Sequence, residues 1–302
     1  GWHDLAGVTL FADNVAAVVD GVAVAQDDKE LVLDAVTLAV GTNGTDNDVI
    51  TGDNAIILRR GDLLSPRMRV LNGAVIYDIN DNPLVTGAAQ NNPDGVEVRD
   101  ITILDHSKAI EANSLELYGN DYIAGGPDDD VIFGQLGDDT IQGDGGVAFT
   151  PSSNDVSAGR NVDGTISVTS SFEHERDGDD YIEGNGGNDV VFGNLGQDDI
   201  IGGSSELFGL ATPEQRPDGT GVADPVATEM GIRNDIIFGG AGTEISRNDL
   251  GIPTDSTPVE KRHARDADMI LGDNGNIFRL VSLGTNGASS FRTFGYDNPA
   301  FG

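Results

Sequence analysis

The sequence predicts an all-β fold, a short-coil solenoid interrupted by long loops and preceded by a β-rich segment. Three observations predict it. Asp121, Asp130 and Asp139 stand nine residues apart, with Ile123, Ile132 and Ile141 each two places later and Gly125, Gly134 and Gly143 closing each unit. A fixed short period carrying one acid, one apolar residue and one glycine marks a repeat of brief strands and tight turns. The same pattern returns at Asp180, Asp189 and Asp198, with Ile182, Val191 and Ile200 in step. Finally, the chain holds 42 Gly, and by count 39 Asp against 12 Glu. Aspartate is preferred over glutamate where a short carboxylate sits in a turn or binds a hard cation through oxygen.

Composition narrows the function. The formal charge of -34 argues against nucleic acid and anionic membranes as partners, since both call for a basic face. No apolar run is long enough for a transmembrane helix, and no basic-then-apolar signal peptide opens the chain. The chain begins at Gly1 without a methionine, so a fragment or processed product is expected. There is no cysteine, which rules out disulfides and thiolate metal sites. A chain this acidic repels itself without counter-ions. The expected remedy is calcium.

Three parts are expected. Residues 1–45 form an N-terminal β-rich segment: VTLFA, VAAVVDGVAVA and ELVLDAVTLAV carry β-branched and alternating residues without a helical stripe. Asp20-Gly21 between valines is a two-residue hairpin signal. Residues 46–116 hold one repeat-like unit (Asp48, Ile50, Gly52) and then leave the period. There MRVLNGAVIYDI, with its Asn72-Gly73 turn signal, and GVEVRDITIL read as an inserted β-meander. Residues 117–302 are expected to carry the interrupted solenoid. Its later units stand alone at Asp235 with Ile237 and at Asp268 with Ile270, and Glu244 with Ser246 marks a degraded unit. Each gap opens at a glycine-rich turn and resumes in phase, so the simplest topology splices long loops into the turns of one solenoid. DNDVITGDNAIILRR (46–60) also echoes DADMILGDNGNIFRL (266–280). The echo means either two related edges of one roll or two copies of a common repeat variant.

The nine-residue unit resembles the glycine- and aspartate-rich nonapeptide of the RTX (haemolysin-type) calcium-binding family. The glycines permit positive φ and close backbone approach, and the aspartate ends the turn with a carboxylate. The apolar residue two places on faces the core. The resemblance implies a parallel β-roll with two nonapeptides per coil and calcium ions between the turns of adjacent coils, on either edge. A site then needs two alternate repeats. Asp121 is expected to pair with Asp139, Asp180 with Asp198, Asp130 with Asp180, Asp139 with Asp189, Asp189 with Asp235, and Asp198 with Asp268. Together with Asp48, these are the implied metal ligands. Calcium suits them as a hard cation taking 6–8 oxygens, and its binding energy becomes folding energy because such sites do not preexist in the unfolded chain.

Other motifs carry less. DINDNP (78–83) is similar to the calcium-binding linker of cadherins, but a polar hairpin turn explains it. Arg60-Gly61-Asp62 spells an integrin-recognition tripeptide, which is too short to carry an argument. His3, His106, His174 and His263 lack metal or triad spacing. The close carboxylates Asp128, Asp129, Asp130, Asp138 and Asp139 would suit a glycosidase, but the period already explains them. Phe133, Phe192 and Phe238 each follow the core residue, so an outer-face aromatic ladder is expected. The resulting expectation is a non-catalytic, extracellular calcium-binding module that folds on calcium and belongs to a larger bacterial surface protein. It would self-associate into a filament or layer and be exported by type I secretion, as the resemblance implies. The alternative is the calcium-binding region of a secreted protease, lyase or peroxidase.

Overall fold

The computed structural model describes residues 18–19, 22–23, 31–33, 47–59, 65–71, 99–104, 119–146, 156–174, 176–212, 215–216, 234–243, 265–283 and 289–291. DINDNP, Arg60-Gly61-Asp62, Asn72-Gly73, Glu244 with Ser246, and His3, His106 and His263 lie outside them. No α-helix occurs among the described residues.

The strands run, in chain order, β1 (Val18–Val19), β2 (Val22–Ala23), β3 (Leu31–Leu33), β4 (Val49–Thr51), β5 (Ala55–Arg59), β6 (Met68–Leu71) and β7 (Arg99–Ile103). The repeat blocks follow with β8 (Tyr122–Ala124), β9 (Val131–Leu136), β10 (Thr140–Gln142), the pair β11 (Ser157–Arg160) and β12 (Ile166–Thr169), then β13 (Tyr181–Gly186), β14 (Val190–Phe192) and β15 (Asp199–Ile201). The last are β16 (Ile236–Phe238), β17 (Met269–Leu271), β18 (Arg279–Leu283) and β19 (Ser289–Phe291).

Two five-stranded parallel sheets make the roll. The first has the order β16-β14-β10-β8-β3 and the second β17-β15-β13-β9-β4. Successive strands alternate between the sheets, so two nonapeptides complete one coil. A strand in this scheme needs only three residues, because glycine ends it and the aspartate of the next turn precedes its successor. Its central residue faces inward. Register stacks these residues one above another: Ile50, Ile132, Ile182, Ile200 and Ile270 in the second sheet, and Ile123, Ile141, Val191 and Ile237 in the first. From Ile123 to Ile200 these side chains are wholly buried. Each unit from Ile123 to Ile200 thus buries one inward apolar side chain while ordering nine residues of backbone, which makes for a thin core.

The sheets reach back to β3 and β4, N-terminal of residue 117. β1 and β2 pair antiparallel with Val19 opposite Val22, the hairpin that Asp20-Gly21 signals. β4 and β17 are the outer strands of one sheet, so the echo between 46–60 and 266–280 relates the two ends of one roll.

The inserted segments fold onto the roll. β5 pairs antiparallel with β7, whereas β6 leaves the expected meander and pairs in parallel with β18, more than two hundred residues later. A second apolar cluster forms on the outer face of the second sheet. Phe133 and Tyr181 point outward there and meet Ile103, Phe208, Leu210 and Ile277. Phe208 stands edge-on to Phe133, with ring centroids 5.0 Å apart and planes at 72°. The single aromatic ladder is therefore corrected. Phe192 and Phe238 stack at 4.8 Å on the first sheet, while Phe133 sits on the second, because its unit is out of step with theirs by one half-coil.

Candidate metal centre

The nine expected ligands divide between two turn edges. Asp48, Asp130, Asp180, Asp198 and Asp268 each precede a strand of the second sheet. Asp121, Asp139, Asp189 and Asp235 precede strands of the first. On each edge the aspartates form a ladder in which the backbone N–H of one aspartate donates to Oδ1 of the aspartate one coil on. Asp121 donates to Asp139 at 2.8 Å, Asp139 to Asp189 at 2.9 Å and Asp189 to Asp235 at 3.0 Å. On the other edge Asp48 donates to Asp130 at 2.7 Å, Asp130 to Asp180 and Asp180 to Asp198 at 2.8 Å, and Asp198 to Asp268 at 3.2 Å. Every pair given by phase is brought together, across 50 residues for Asp130 and Asp180 and across 70 for Asp198 and Asp268. The Asp48–Asp130 pair joins them.

Oδ2 of each aspartate after Asp48 points back beneath the first glycine of its own turn. A Cβ at Gly184 would fall on Asp189 Oδ2 and stand 2.6 Å from Gly202 O; one at Gly143 would fall on Asp180 Oδ2 and stand 2.6 Å from Gly193 O. The same two kinds of oxygen, a carboxylate and the next turn's glycine carbonyl, converge at Gly52, Gly125, Gly134, Gly193 and Gly202. Glycine is required here because any side chain would occupy the space these oxygens share. The Oδ2 atoms of Asp139, Asp180 and Asp198 are buried and accept no hydrogen bond. An ionised carboxylate in that state is costly unless a cation completes its shell. Burial pushes the Asp139 carboxyl up to about 7, against the lowering pull of the Asp121 N–H. Burial likewise holds Asp180 and Asp198 well above the carboxylate range, and for Asp198 the neighbouring Asp180 and Asp268 add to the rise.

The donor set is all oxygen, anionic and regularly spaced, which fits a hard divalent cation. Among the described residues no group of three or more histidine, cysteine or acidic side chains could hold a metal. Main-chain carbonyls must therefore complete the shell, as the glycine cradles allow. The RTX calcium-binding nonapeptide repeat family matches residues 117–147, 176–205 and 231–250, in four copies. The turns within those residues match RTX calcium-binding repeats. No curated protein and no solved structure matches the chain. The RTX repeats bind calcium and are a structural motif; the ion, when bound, supplies the positive charge that the buried carboxylates lack.

Sequence reasoning missed a second ladder of opposite sense. The residue before each RTX aspartate accepts from the backbone of the next coil: Asn120 from Asp138 N at 2.9 Å, Asp138 from Asn188 N at 2.8 Å, and Asn188 from Asn234 N at 3.0 Å. Asp129 and Asp179 do the same on the other edge, accepting from Asp179 N at 2.8 Å and Gln197 N at 2.9 Å. The recurrence of Asn or Asp at that place was the available signal. Also missed were Arg67 and Arg279, which lie on the outer face of the second sheet. Arg67 pairs with Asp199 at 2.8 Å and covers the Tyr181 ring at 4.1 Å. Arg279 pairs with Asp179 and donates to Gln197 O. His174 caps a loop through its main chain, with its N–H on Asp177 Oδ2 at 2.9 Å.

Proposed function

We propose that this protein is a non-catalytic, extracellular structural module that folds and stiffens on calcium. The observation that carries the reading is the row of buried, unpartnered carboxylate oxygens at Asp139, Asp180 and Asp198, each facing a glycine carbonyl of the next coil. In a calcium-poor compartment these carboxylates disfavour the compact roll. Outside a cell, sites with affinities on the order of 10⁻⁴–10⁻³ M are filled and the roll closes. The absence of cysteine and the charge of -34 agree with a protein stabilised there by ions rather than by disulfides. A surface or adhesive role, with rolls stacking into a layer or filament, follows from strand edges at the ends of a solenoid. The test is calcium titration followed by circular dichroism and thermal melting. The β signal and melting temperature should rise together with calcium and fall on adding EGTA. A complete β signal in EGTA would overturn the reading.

A further inference from the structure

Two of the coil turns are interrupted in the same manner, and they differ in one atom. At Gly52-Asp53 the chain leaves the roll and returns at Gly119; at Gly143-Asp144 it leaves and returns at Gly178. In both, the aspartate after the first glycine holds the returning chain. Asp53 Oδ1 accepts from Gly119 N at 3.1 Å, and Asp144 Oδ1 accepts from Gly178 N at 3.0 Å. The second oxygens diverge. Asp53 Oδ2 accepts from Leu136 N at 3.2 Å. Asp144 Oδ2 is fully buried and accepts nothing.

Asp144 lies next to Gly143, whose missing Cβ faces Asp180 Oδ2 and Gly193 O. Asp180 Oδ2 is also buried without a hydrogen bond. On the facing turn Asn194 occupies the equivalent place. Its amide nitrogen donates to Ser171 Oγ at 2.9 Å and Phe172 O at 2.6 Å, while its Oδ1 is likewise buried and unpartnered. Three side-chain oxygens from both sides of the splice and from the adjoining coil thus lack donors. The corresponding place at the two other interrupted turns is Gly203 or Gly240, which brings no carboxylate.

We propose that Asp144 is an additional ligand to the calcium ion of the Asp180 turn, so that this ion clamps the insertion 147–176 onto the roll. The repeat pattern does not include this residue. The inference rests on the calcium-loaded roll proposed above. Two carboxylates from either end of the insertion make this site more anionic than those with one, and ligand charge tunes calcium affinity. The ion then ties Asp144 to Asp180 across the splice, next to the insertion's stem at Ser171, which is buried and donates to Gln142 Oε1 at 2.6 Å.

The test uses the whole chain with calcium as the probe. Isothermal titration should show the tightest class of sites weakened roughly tenfold in Asp144→Asn, with the number of ions unchanged. Asp53→Asn should leave that class unaltered. Unchanged affinities in Asp144→Asn would overturn the proposal. A readout on the unaltered protein guards against a variant that fails to fold. Tryptic cleavage after Arg160 and Arg176 should be suppressed at lower calcium than cleavage after Arg233, which lies in the insertion following Gly203. Protection of both at the same calcium concentration would overturn the clamp while leaving the calcium-binding roll intact. An absence of calcium protection at either insertion would overturn both.

Discussion

The turn edges and the outer face of the second sheet both bury carboxylates, and they treat them in opposite ways. On the outer face Glu183 is fully satisfied by protein. Tyr181 OH and Ser205 Oγ each donate to it at 2.6 Å, Asn185 Nδ2 at 2.8 Å and Ser205 N at 3.0 Å. Burial still raises its pKa, but these donors pull against the rise. At the edges, Asp139, Asp180 and Asp198 each receive one backbone donor and leave the second oxygen bare. The difference marks where the proposed ion would act. A carboxylate with four protein donors is complete by itself, whereas one aimed at a carbonyl across a glycine gap is complete only with a cation.

The largest expected effect breaks the self-sufficient side. Glu183→Ala leaves several buried donors without an acceptor and should cost about 3 kcal/mol or more. The melting temperature should drop by the same amount in calcium and in EGTA. A drop confined to calcium would place Glu183 among the ion's supports and erase the contrast. Asp189→Ala tests the other side. In calcium it should lose about 1.5–3 kcal/mol, on the scale of a hydrogen bond to a charged group, and one bound ion. In EGTA the loss should be smaller, because a costly buried carboxylate is removed as well. An unchanged stoichiometry and melting temperature would remove Asp189 from the metal centre.

The smallest and most graded effect is with pH. Burial raises the folded pKa of Asp139 to about 7, above the ordinary carboxylate value of 3.8. The folded state therefore binds the proton more tightly than the unfolded chain does. Without calcium, this contribution to stability is fully present below pH 3.8 and is lost as pH rises toward about 7. Asp180 and Asp198 shift in the same direction. With calcium the order reverses, since the ion needs the ionised carboxylate. Melting curves in EGTA and in calcium should diverge as pH rises across that window. Parallel curves would mean that the edge carboxylates do not exchange protons for calcium.

Much of the metal centre was legible because its geometry repeats. Asp130 and Asp180 are joined across 50 residues, yet the phase of their glycines and isoleucines already set them on one edge. The coat was not legible in this way. Phe208 belongs to no period, and nothing local indicates that it meets Phe133 and Tyr181. The meander expected over 55–116 failed at β6 because its partner β18 is distant and pairs in parallel, where a short turn signal has no say. The aromatic ladder failed at Phe133 for a counting reason, since odd and even units belong to different sheets.

By itself the sequence determined the unit, the ion chemistry and the pairing of aspartates along each edge. These rest on contacts that recur at one spacing, so a linear pattern encodes them. Only the tertiary structure decided which inserted residues cover the roll, as when Arg67 reaches Asp199 across 132 residues. It alone also distinguished Asp144 from Asp53, two aspartates in the same place of the repeat. One finds a second donor from a neighbouring coil and the other does not, and that depends on what packs around each splice rather than on the splice's own residues.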